Sequence, residues 1–397
     1  MTATGTAVPA VANRRVVAIM ALATGAVVAN LYYPQPLEQT LTQALHTSSA
    51  AIGIVVTLIQ IGYAIGLATL VPLGDLVERR RLLAVMLAVA VLGLALMALA
   101  PSVAVFGTAA MVVGLTSVAA QVVVPFAAHL AADGQQGRVV STVMSGLLIG
   151  ILLSRTLSGL IASVAGWRAV FGLGAVLTAV IGALLWRELP TLAPTTKLRY
   201  PALLASVLRL VREEPLLRMR ILYGALVFGS FSAFWASVGF LLARPPYHWN
   251  NAAIGAFALV GAAGAAAAMF AGRLADRGLA RLATGGFVLV MALSYVLIAL
   301  GGHSAIALAI GVALMDLGCQ ATHISNQSLI YPLRPAARSR LNTAYMTAYF
   351  VAGATGSALS VAMYAAFGWT GVCVVGAAFP AAACLLWVLD MTVLRPR

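Results

Sequence analysis

The chain has 397 residues, of which 62% are hydrophobic and only 9% are charged, and its mean hydropathy is +1.00. A soluble domain carries about 25% charged residues, so this composition excludes a protein that presents a water-facing surface over most of its area. The net charge of +14 would suggest nucleic acid in a soluble protein, but the bases cluster in short segments between apolar runs. That placement predicts an integral membrane protein that binds no nucleic acid.

Apolar runs of about 20 residues are long enough to cross the hydrocarbon core of a bilayer as helices. Twelve such spans are predicted, at roughly 16–37, 50–72, 82–100, 103–128, 139–164, 167–187, 218–242, 251–271, 282–301, 303–329, 341–366 and 369–390. The predicted fold is therefore an all-α membrane protein with twelve transmembrane helices.

The predicted spans fall into two halves joined by a polar connection. We expect a tail at 1–15, an N-terminal half at 16–187, a linker at 188–217, a C-terminal half at 218–390 and a tail at 391–397. Within the linker, residues 202–212 fit either a short amphipathic helix on the inner membrane surface or part of a simple tether.

The basic residues predict the orientation of the chain. With both termini in the cytoplasm, only Arg168 and Arg244 of the 24 bases fall in outer segments, and Arg155 falls inside a span. Membrane proteins carry an excess of bases on the cytoplasmic side, so the sequence predicts a multi-pass protein with both ends inside. We expect it in the cytoplasmic (inner) membrane.

The two halves repeat each other in sequence. Arg138–Met144 aligns with Arg340–Met346, and each segment runs on to a Gly-Trp pair, at 166–167 and 368–369. Each half also holds a short charged loop in which a glycine is followed four residues later by an acid and then by arginine. These loops are 74–81 and 272–277. Parallel six-helix repeats with a substrate site near the midplane between them are a known transporter architecture.

The paired loops and the repeat resemble those of the major facilitator superfamily of transporters. The resemblance implies two pseudo-symmetric six-helix halves that rock around a central cavity. It also implies a gating role at the inner side of the bundle for five loop residues. These are Asp75, Glu78, Arg79, Asp276 and Arg277. The glycine-rich fifth span resembles the antiporter motif of the drug-efflux branch, although it lacks the usual Gly-Pro pair.

Among the ten acids of the chain, Asp316 alone is predicted to lie in the middle of a span. Asp316, Gln320, His323 and Gln327 are spaced to share one face of the tenth helix. A polar stripe inside a membrane indicates a wet cavity, where Asp316 would exchange a proton and His323 would be a second titrating group. The alternative is a structural hydrogen-bond network between helices.

Further polar residues are candidates for binding a substrate. The first span holds two prolines among polar and aromatic residues in its outer part, which predicts an unwound or kinked helix with donors pointing inward. The candidates, from spans one, two, four and ten, are Asn30, Tyr32, Tyr33, Gln35, Gln60, Tyr63, Gln121 and Gln320. For Tyr32 and Tyr33 the alternative is an aromatic belt at the membrane surface.

Arg155 is the one base predicted in the middle of a span, and it requires a partner there. The partner would be Asp316, an anionic substrate or nearby carbonyl groups. The sequence therefore groups Arg155 with Asp316 and His323 as the proton-coupling residues.

No phosphate-binding loop, zinc motif or catalytic triad is present, so we expect no enzyme activity, no cofactor and no metal site. The predicted function is secondary transport of a small organic molecule, by proton-coupled efflux of drug-like or sugar-like compounds. Its partners would be the substrate, the coupling proton and the lipid bilayer, and it would work as a monomer. Two alternatives remain open, namely uptake of a small organic anion by a symporter or facilitator, and a membrane sensor that does not transport.

Overall fold

The computed structural model describes residues 13–132, 135–191, 199–261, 274, 277, 279–334 and 337–392, and the regular elements in these ranges are helices. The N-terminal half contains α1 (Arg14–Ala29), α2 (Glu38–Ala44), α3 (Ser49–Leu73), α4 (Arg79–Leu99), α5 (Val103–Ser117), α6 (Ala119–Leu130), α7 (Gln136–Ala165) and α8 (Trp167–Glu188). The linker contains α9 (Tyr200–Glu213). The C-terminal half contains α10 (Pro215–Trp235), α11 (Val238–Leu242), α12 (Asn251–Phe257), α13 (Ala280–Leu300), α14 (Ala305–Ile330) and α15 (Arg338–Thr392).

Nine helical segments of the described ranges are long and apolar enough to cross a membrane. This confirms the predicted all-helical, multi-pass architecture, whereas the count of twelve stays a prediction. The regular helix of the first span has only 16 residues. The inner part of the predicted eighth span, 262–271, lies outside the described residues. The longest segment, α15, has 55 residues and is divided by a non-helical residue, Gly368.

Two glycines mark equivalent breaks in the two halves. Gly166 separates α7 from α8 with φ 81° and ψ 162°, and Gly368 divides α15 with φ 60° and ψ −148°. Side-chain-bearing residues are strained in this region of backbone conformation, so glycine is required at both positions. Each break is followed by a tryptophan that packs edge-to-face on a phenylalanine, Trp167 on Phe106 at 5.8 Å and Trp369 on Phe234 at 5.9 Å. The two Gly-Trp breaks thus lie at the positions that the sequence repeat predicts.

The first and seventh spans are also broken in similar places. Helix α1 ends at Ala29, and residues 30–34 turn into a 3₁₀ helix, Gln35–Leu37, that leads into α2. Pro34 and Pro36 lack the backbone donor that a continuing helix needs, as the sequence predicts. In the other half, α10 ends at Trp235 and α11 begins at Val238 after a gap of two residues. These breaks bring side chains from both halves to the middle of the molecule.

Helices α1 and α7 pack backbone to backbone. A methyl group added to Gly150 would overlap the backbone of Gly25, and one added to Gly146 would overlap the backbone of Ala21. Small residues at four-residue spacing allow this close approach. The side chains of α1 and α7 therefore keep fixed positions relative to each other.

At the end of the bundle predicted to face the cytoplasm, α9 lies under both halves. It packs against α3 of the N-terminal half and against α10 and α15 of the C-terminal half. The hydroxyl of Tyr200 donates to the carbonyl of Thr69 at 3.0 Å. The linker is thus more than a loose tether, because its helix contacts both of the units that it connects.

Arg220, grouped with the inner bases in the sequence, is completely buried in α10. Its Nη2 lies 3.5 Å from Asp390, which also accepts from Arg281 at 2.6 Å. The guanidinium further donates to Thr284 at 3.4 Å. This cluster joins the first and last helical segments of the C-terminal half, α10 and α15, to α13. Arg220 therefore has a packing role in addition to any role in the orientation of the chain in the membrane.

Candidate functional site

Arg155 lies between two aromatic rings that come from different halves. Its guanidinium carbon is 4.5 Å from the ring centre of Tyr32 and 4.2 Å from that of Trp235. Its Nε donates to Oε1 of Gln35 at 2.6 Å, and the side chain is only 4% exposed. Each ring contributes about 0.5–2 kcal/mol of cation–π attraction, which offsets part of the cost of burying the charge. The helix breaks after α1 and α10 are what allow the two rings to face each other.

Asp316, on α14, meets the same tryptophan from another side. Nε1 of Trp235 donates to Oδ1 of Asp316 at 3.4 Å, and the carboxyl is 5% exposed. The other oxygen faces Gly261, where any side chain would collide with it. Arg155 and Asp316 interact electrostatically, but the ion pairs within 4.0 Å that involve described residues do not join them. Trp235 therefore contacts both the guanidinium of Arg155 and the carboxyl of Asp316, while these two groups form no direct ion pair with each other.

One terminal nitrogen of Arg155 is buried without a hydrogen-bond acceptor in the part of the chain that the structure describes. Nη2 of Arg155 is shielded from solvent and has no hydrogen-bond partner among the described residues. A buried charged donor without an acceptor costs a few kcal/mol, so such a group usually indicates a missing partner. The site thus has one free donor at a point where both halves meet.

A small cavity lies beside this cluster. It is lined by Tyr32 and Gln35 from the N-terminal half and by Phe231 and Trp235 from the C-terminal half, with Gln60 of α3 among its other neighbours. Its volume is about 20 Å³, which holds roughly one water molecule. Pockets for small organic ligands have about 300–1,000 Å³, so the halves must separate before such a ligand can enter.

The predicted polar residues of α3 and α6 form a second group next to the cavity. Nε2 of Gln121 donates to the hydroxyl of Tyr63 at 3.2 Å, and the ring of Tyr63 lies 4.2 Å from that of Phe350 in the other half. Oε1 of Gln60 is buried and has no hydrogen-bond partner among the described residues. These side chains contribute polar groups to the same interface between the halves.

Asn30 and Tyr33 are directed elsewhere. Nδ2 of Asn30 donates to Thr178 of α8 at 3.5 Å, and the ring of Tyr33 packs at Gly174 of the same helix. The carbonyl of Tyr33 accepts from Ser158 at 2.7 Å. Both residues thus pack within the N-terminal half, whereas Tyr32 and Gln35 reach the interface.

The polar stripe of α14 is divided between two environments. Nδ1 of His323 lies 3.1 Å from the hydroxyl of Tyr345, which also accepts from Asn326 at 3.3 Å. Gln320 is partly buried between the two groups along the helix. Residues seven apart are separated by about 10 Å along a helix, so His323 and Asp316 share a face but have different partners. The structure brings Asp316 together with Arg155 and places His323 with the tyrosines of α15.

The first charged loop is folded on itself. Arg79 donates to the carbonyl of Gly74 at 2.9 Å and to Asp75 at 3.1 Å, and Glu78 pairs with Arg81 at 2.9 Å. In the second loop, Arg277 is exposed, whereas Asp276 lies outside the described residues. The gating role of these five residues stays a prediction.

Trp235 belongs to the site but was not among the residues predicted from the sequence. It ends a run of aromatic residues, Phe228, Phe231, Phe234 and Trp235, in an otherwise apolar span. Such residues at helical spacing usually form a core, so their pattern alone does not indicate a site. The signal that was available is the repeat, since the seventh span corresponds to the first and Trp235 lies close to the position that corresponds to Tyr32.

The halves meet on one side of the site through four polar contacts, which we call the outer contact because they lie toward the predicted outer face. Thr40 and Asn251 share hydrogen bonds of 2.8 and 3.0 Å. Arg244 donates to Ser49 at 3.2 Å, Thr57 donates to Ser357 at 3.3 Å, and Thr156 donates to the carbonyl of Gly255 at 2.9 Å. Each bond joins one half to the other, so this face of the site is closed.

A helical bundle in two repeated halves, with a buried charged site where they meet, is typical of membrane transporters. Known proteins agree with this class. The family model described as Major Facilitator Superfamily matches residues 17–331 and 246–397. The chain therefore belongs to the major facilitator superfamily, and it is a transporter and not an enzyme.

Two relatives in sequence are themselves named as transporters. The transporter YgaY of Escherichia coli (strain K12), which is uncharacterised, is 45% identical over 371 residues, covering 94% of this chain and 94% of that protein. The transporter SCO4007 of Streptomyces coelicolor is 35% identical and covers 93% of this chain and 86% of its own length. Among solved structures, the nucleoside transporter NupG superposes with a TM-score of 0.76 at 12% identity, covering 94% of this chain and 98% of its own, which shows a shared fold.

Proposed function

We propose that this transporter is coupled to protons and that it exports drug-like or sugar-like molecules by alternating access, with Asp316 as the proton carrier. The observation that carries the proposal is the position of Asp316, a buried carboxyl held by Trp235 within the electrostatic reach of Arg155. A carboxyl inside a membrane is costly unless it has a partner or takes up a proton, so such groups mark proton and substrate pathways.

The site couples the proton to movement because its charges belong to different halves. Arg155 is bonded to Gln35 and stacked on Tyr32, all in the N-terminal half. Asp316 is bonded to Trp235, and both are in the C-terminal half. When the halves rock, the distance between the guanidinium and the carboxyl changes. The ionised form of Asp316 is therefore stabilised to different extents in the two states, which is the differential interaction that coupling requires.

A second candidate function follows from the free nitrogen of Arg155. A carboxylate of a substrate would satisfy Nη2, which has no hydrogen-bond partner among the described residues. An anion would then bind best when Asp316 is protonated, because only then does the site carry a net positive charge. That order of events corresponds to uptake of a small organic anion together with a proton.

The proposal also includes the membrane in which the protein lies, its orientation there and its oligomeric state. The distribution of bases supports a place in the cytoplasmic membrane with both termini inside. We also propose a monomer as the working unit, because the two halves of one chain supply both the arginine and the carboxyl of the site.

The sign of a pH change distinguishes the two functions. The protein is reconstituted in liposomes that enclose a pH-sensitive dye, and candidate drugs, sugars and organic anions are added outside without a pH gradient. Antiport exchanges entering substrate for internal protons, so the interior becomes more alkaline. Symport with an anion brings protons in, so the interior becomes more acidic.

Asp316→Asn should abolish the pH change with either kind of substrate while the protein still inserts and folds. Glu188→Gln is the matched control, because Glu188 pairs with Arg15 at 2.9 Å, away from the site, and its loss should leave the signal unchanged. Substrate entry with no pH change in the native protein would refute proton coupling. Substrate binding with no entry would instead identify a sensor.

A further inference from the structure

Another buried carboxyl, that of Glu38, lies near the outer contact, three residues after Gln35. Glu38 is the first residue of α2 and follows the 3₁₀ helix that carries Gln35. The sequence places it at the end of a span, where an acid would normally face water. In the structure it is only 1% exposed. Both carboxyl oxygens are shielded from solvent, and neither has a hydrogen-bond partner among the described residues.

Glu38 is buried by the other half of the molecule. Its carboxyl lies against the backbone of Gly239 in α11, and a methyl group at that glycine would be 2.9 Å from Oε2 of Glu38. The same methyl group would be 2.9 Å from the carbonyl oxygen of Gln35. Gly239 therefore permits α11 to cover the carboxyl, so Glu38 is enclosed only while the two halves are together.

The groups around Glu38 do not neutralise it. Helices α11 and α12 carry no acid, base or tyrosine in their described residues, and neither does the outer part of α3 at 49–57. Tyr364 of α15 is within electrostatic range of Glu38, and Arg244 lies 5.9 Å from the ring centre of Tyr364 while it donates to Ser49. Arg155 donates to Gln35 through Nε, and its electrostatic interactions are with Tyr32 and Asp316. None of the ion pairs within 4.0 Å that join described residues includes Glu38.

An ionised carboxylate in such a position costs several kcal/mol, and a group in this situation takes up a proton instead. When the halves separate on this side, water reaches the carboxyl and the charged form becomes stable. Closing the outer contact is therefore linked to the binding of one proton at Glu38.

We propose that Glu38 is a second proton-binding site, separate from Asp316, and that its protonation from the outer solution closes the contact between the two halves. Acidic solution favours the closed state and alkaline solution favours the open one. This inference depends on alternating access but not on the identity of the residue that carries the transported proton.

The inference is tested by measuring the distance across the outer contact as a function of pH. Spin labels are attached at Gln43→Cys and His303→Cys, which are exposed positions in the N-terminal and C-terminal halves. The background is the full chain with Cys319, Cys373 and Cys384 replaced by alanine, in lipid nanodiscs. Double electron–electron resonance should show that the population with the short distance grows as the pH falls. The ratio of closed to open molecules should change by up to about tenfold per pH unit.

Glu38→Gln, which imitates the protonated side chain, should show the closed distance at every pH. Glu38→Asp keeps an acid and should keep the pH response, so the inference can be tested even if the first variant folds poorly. Glu188→Gln should respond like the parent protein. Asp316→Asn should lose proton-coupled flux and yet keep the pH response of the outer contact, which separates this inference from the proposed function.

Three results would overturn the inference. One is a pH response in Glu38→Gln that equals that of the parent protein. Another is a parent protein whose distance distribution does not depend on pH. The third is a Glu38→Asp protein that stays closed at every pH.

Discussion

The guanidinium of Arg155 connects the two halves at the scale of single residues. Its planar shape allows it to stack on Tyr32 and Trp235 at once while it donates to Gln35. An ammonium group has the same charge but neither the plane nor the fixed fork of donors, so lysine is not an equivalent residue at a stacked site. The geometry of the group, as well as its charge, is therefore needed.

We predict that Arg155→Lys lowers the rate of transport in proteoliposomes by about tenfold or more, because a charge-assisted hydrogen bond worth about 1.5–3 kcal/mol is lost together with the stacking. Arg168→Lys is a matched control, since Arg168 also covers a tryptophan, Trp167, at 4.2 Å, but lies outside the site. Transport by Arg168→Lys should equal that of the native protein. Native rates in Arg155→Lys would show that the charge alone is sufficient.

Single residues also show where reasoning from the sequence was limited. Asp316 was predicted to face a cavity or a partner because it lies within an apolar span, where a charge is costly without one. Glu38 gave no such signal, since an acid at the end of a span normally faces water and its burial arises only when the second half covers it. Trp235 belongs to a run of aromatic residues at helical spacing that resembles a core, and only the correspondence between the seventh and first spans pointed to it. Contacts between halves depend on tertiary packing, which residue spacing within one helix does not describe.

At the scale of elements, the glycines at the two equivalent helix breaks have a purely conformational role. We predict that Gly166→Ala and Gly368→Ala each destabilise the protein by about 1–3 kcal/mol, because both backbones lie in a region that alanine adopts only under strain. The added methyl groups meet no atom within 4 Å, so the cost is not steric crowding by neighbours. The measurement is the thermal midpoint of the purified protein in detergent.

Each of these substitutions has a control in the same half. Gly172 and Gly286 lie within α8 and α13, and a methyl group at either also meets no atom within 4 Å. Alanine is preferred over glycine in a helix by about 1 kcal/mol, so Gly172→Ala and Gly286→Ala should leave the midpoint unchanged or raise it. Equal effects of all four substitutions would refute the conformational explanation.

The repeated elements were predictable to different degrees. The apolar runs and the two Gly-Trp pairs indicate both the helical fold and the internal repeat. The prolines of the first span indicate its break, whereas the break between α10 and α11 has no proline and is not apparent from the sequence. It arises at Ala236 and Ser237, where the amide of Ser237 donates to the carbonyl of Phe234 at 3.1 Å and the Ser237 hydroxyl lies 2.7 Å from that of Ser360 in α15.

At the scale of the whole molecule, the outer contact should be a part of the transport cycle that can be locked. Oγ1 of Thr57 and Oγ of Ser357 are 3.3 Å apart on helices of different halves. We predict that the double variant Thr57→Cys, Ser357→Cys forms a disulfide with a membrane-permeant oxidant and that transport then stops. The reason is that the halves can no longer separate on this side.

Reduction with a thiol should restore transport in the double variant, and each single variant should be insensitive to the oxidant. Transport that continues at the native rate in the fully cross-linked protein would show that this contact does not open. The extent of cross-linking is measured separately from transport, by the thiol content of the denatured protein.

The placement of Trp235 also has an optical consequence. An indole that lies against a guanidinium on one face and donates to a carboxyl through its N–H has an excited state that responds to both charges. Separation of the halves removes the guanidinium, and protonation of Asp316 changes the charge at the N–H. The fluorescence of this residue, obtained as the difference between the native protein and Trp235→Phe, therefore follows the cycle from inside the membrane without an added dye.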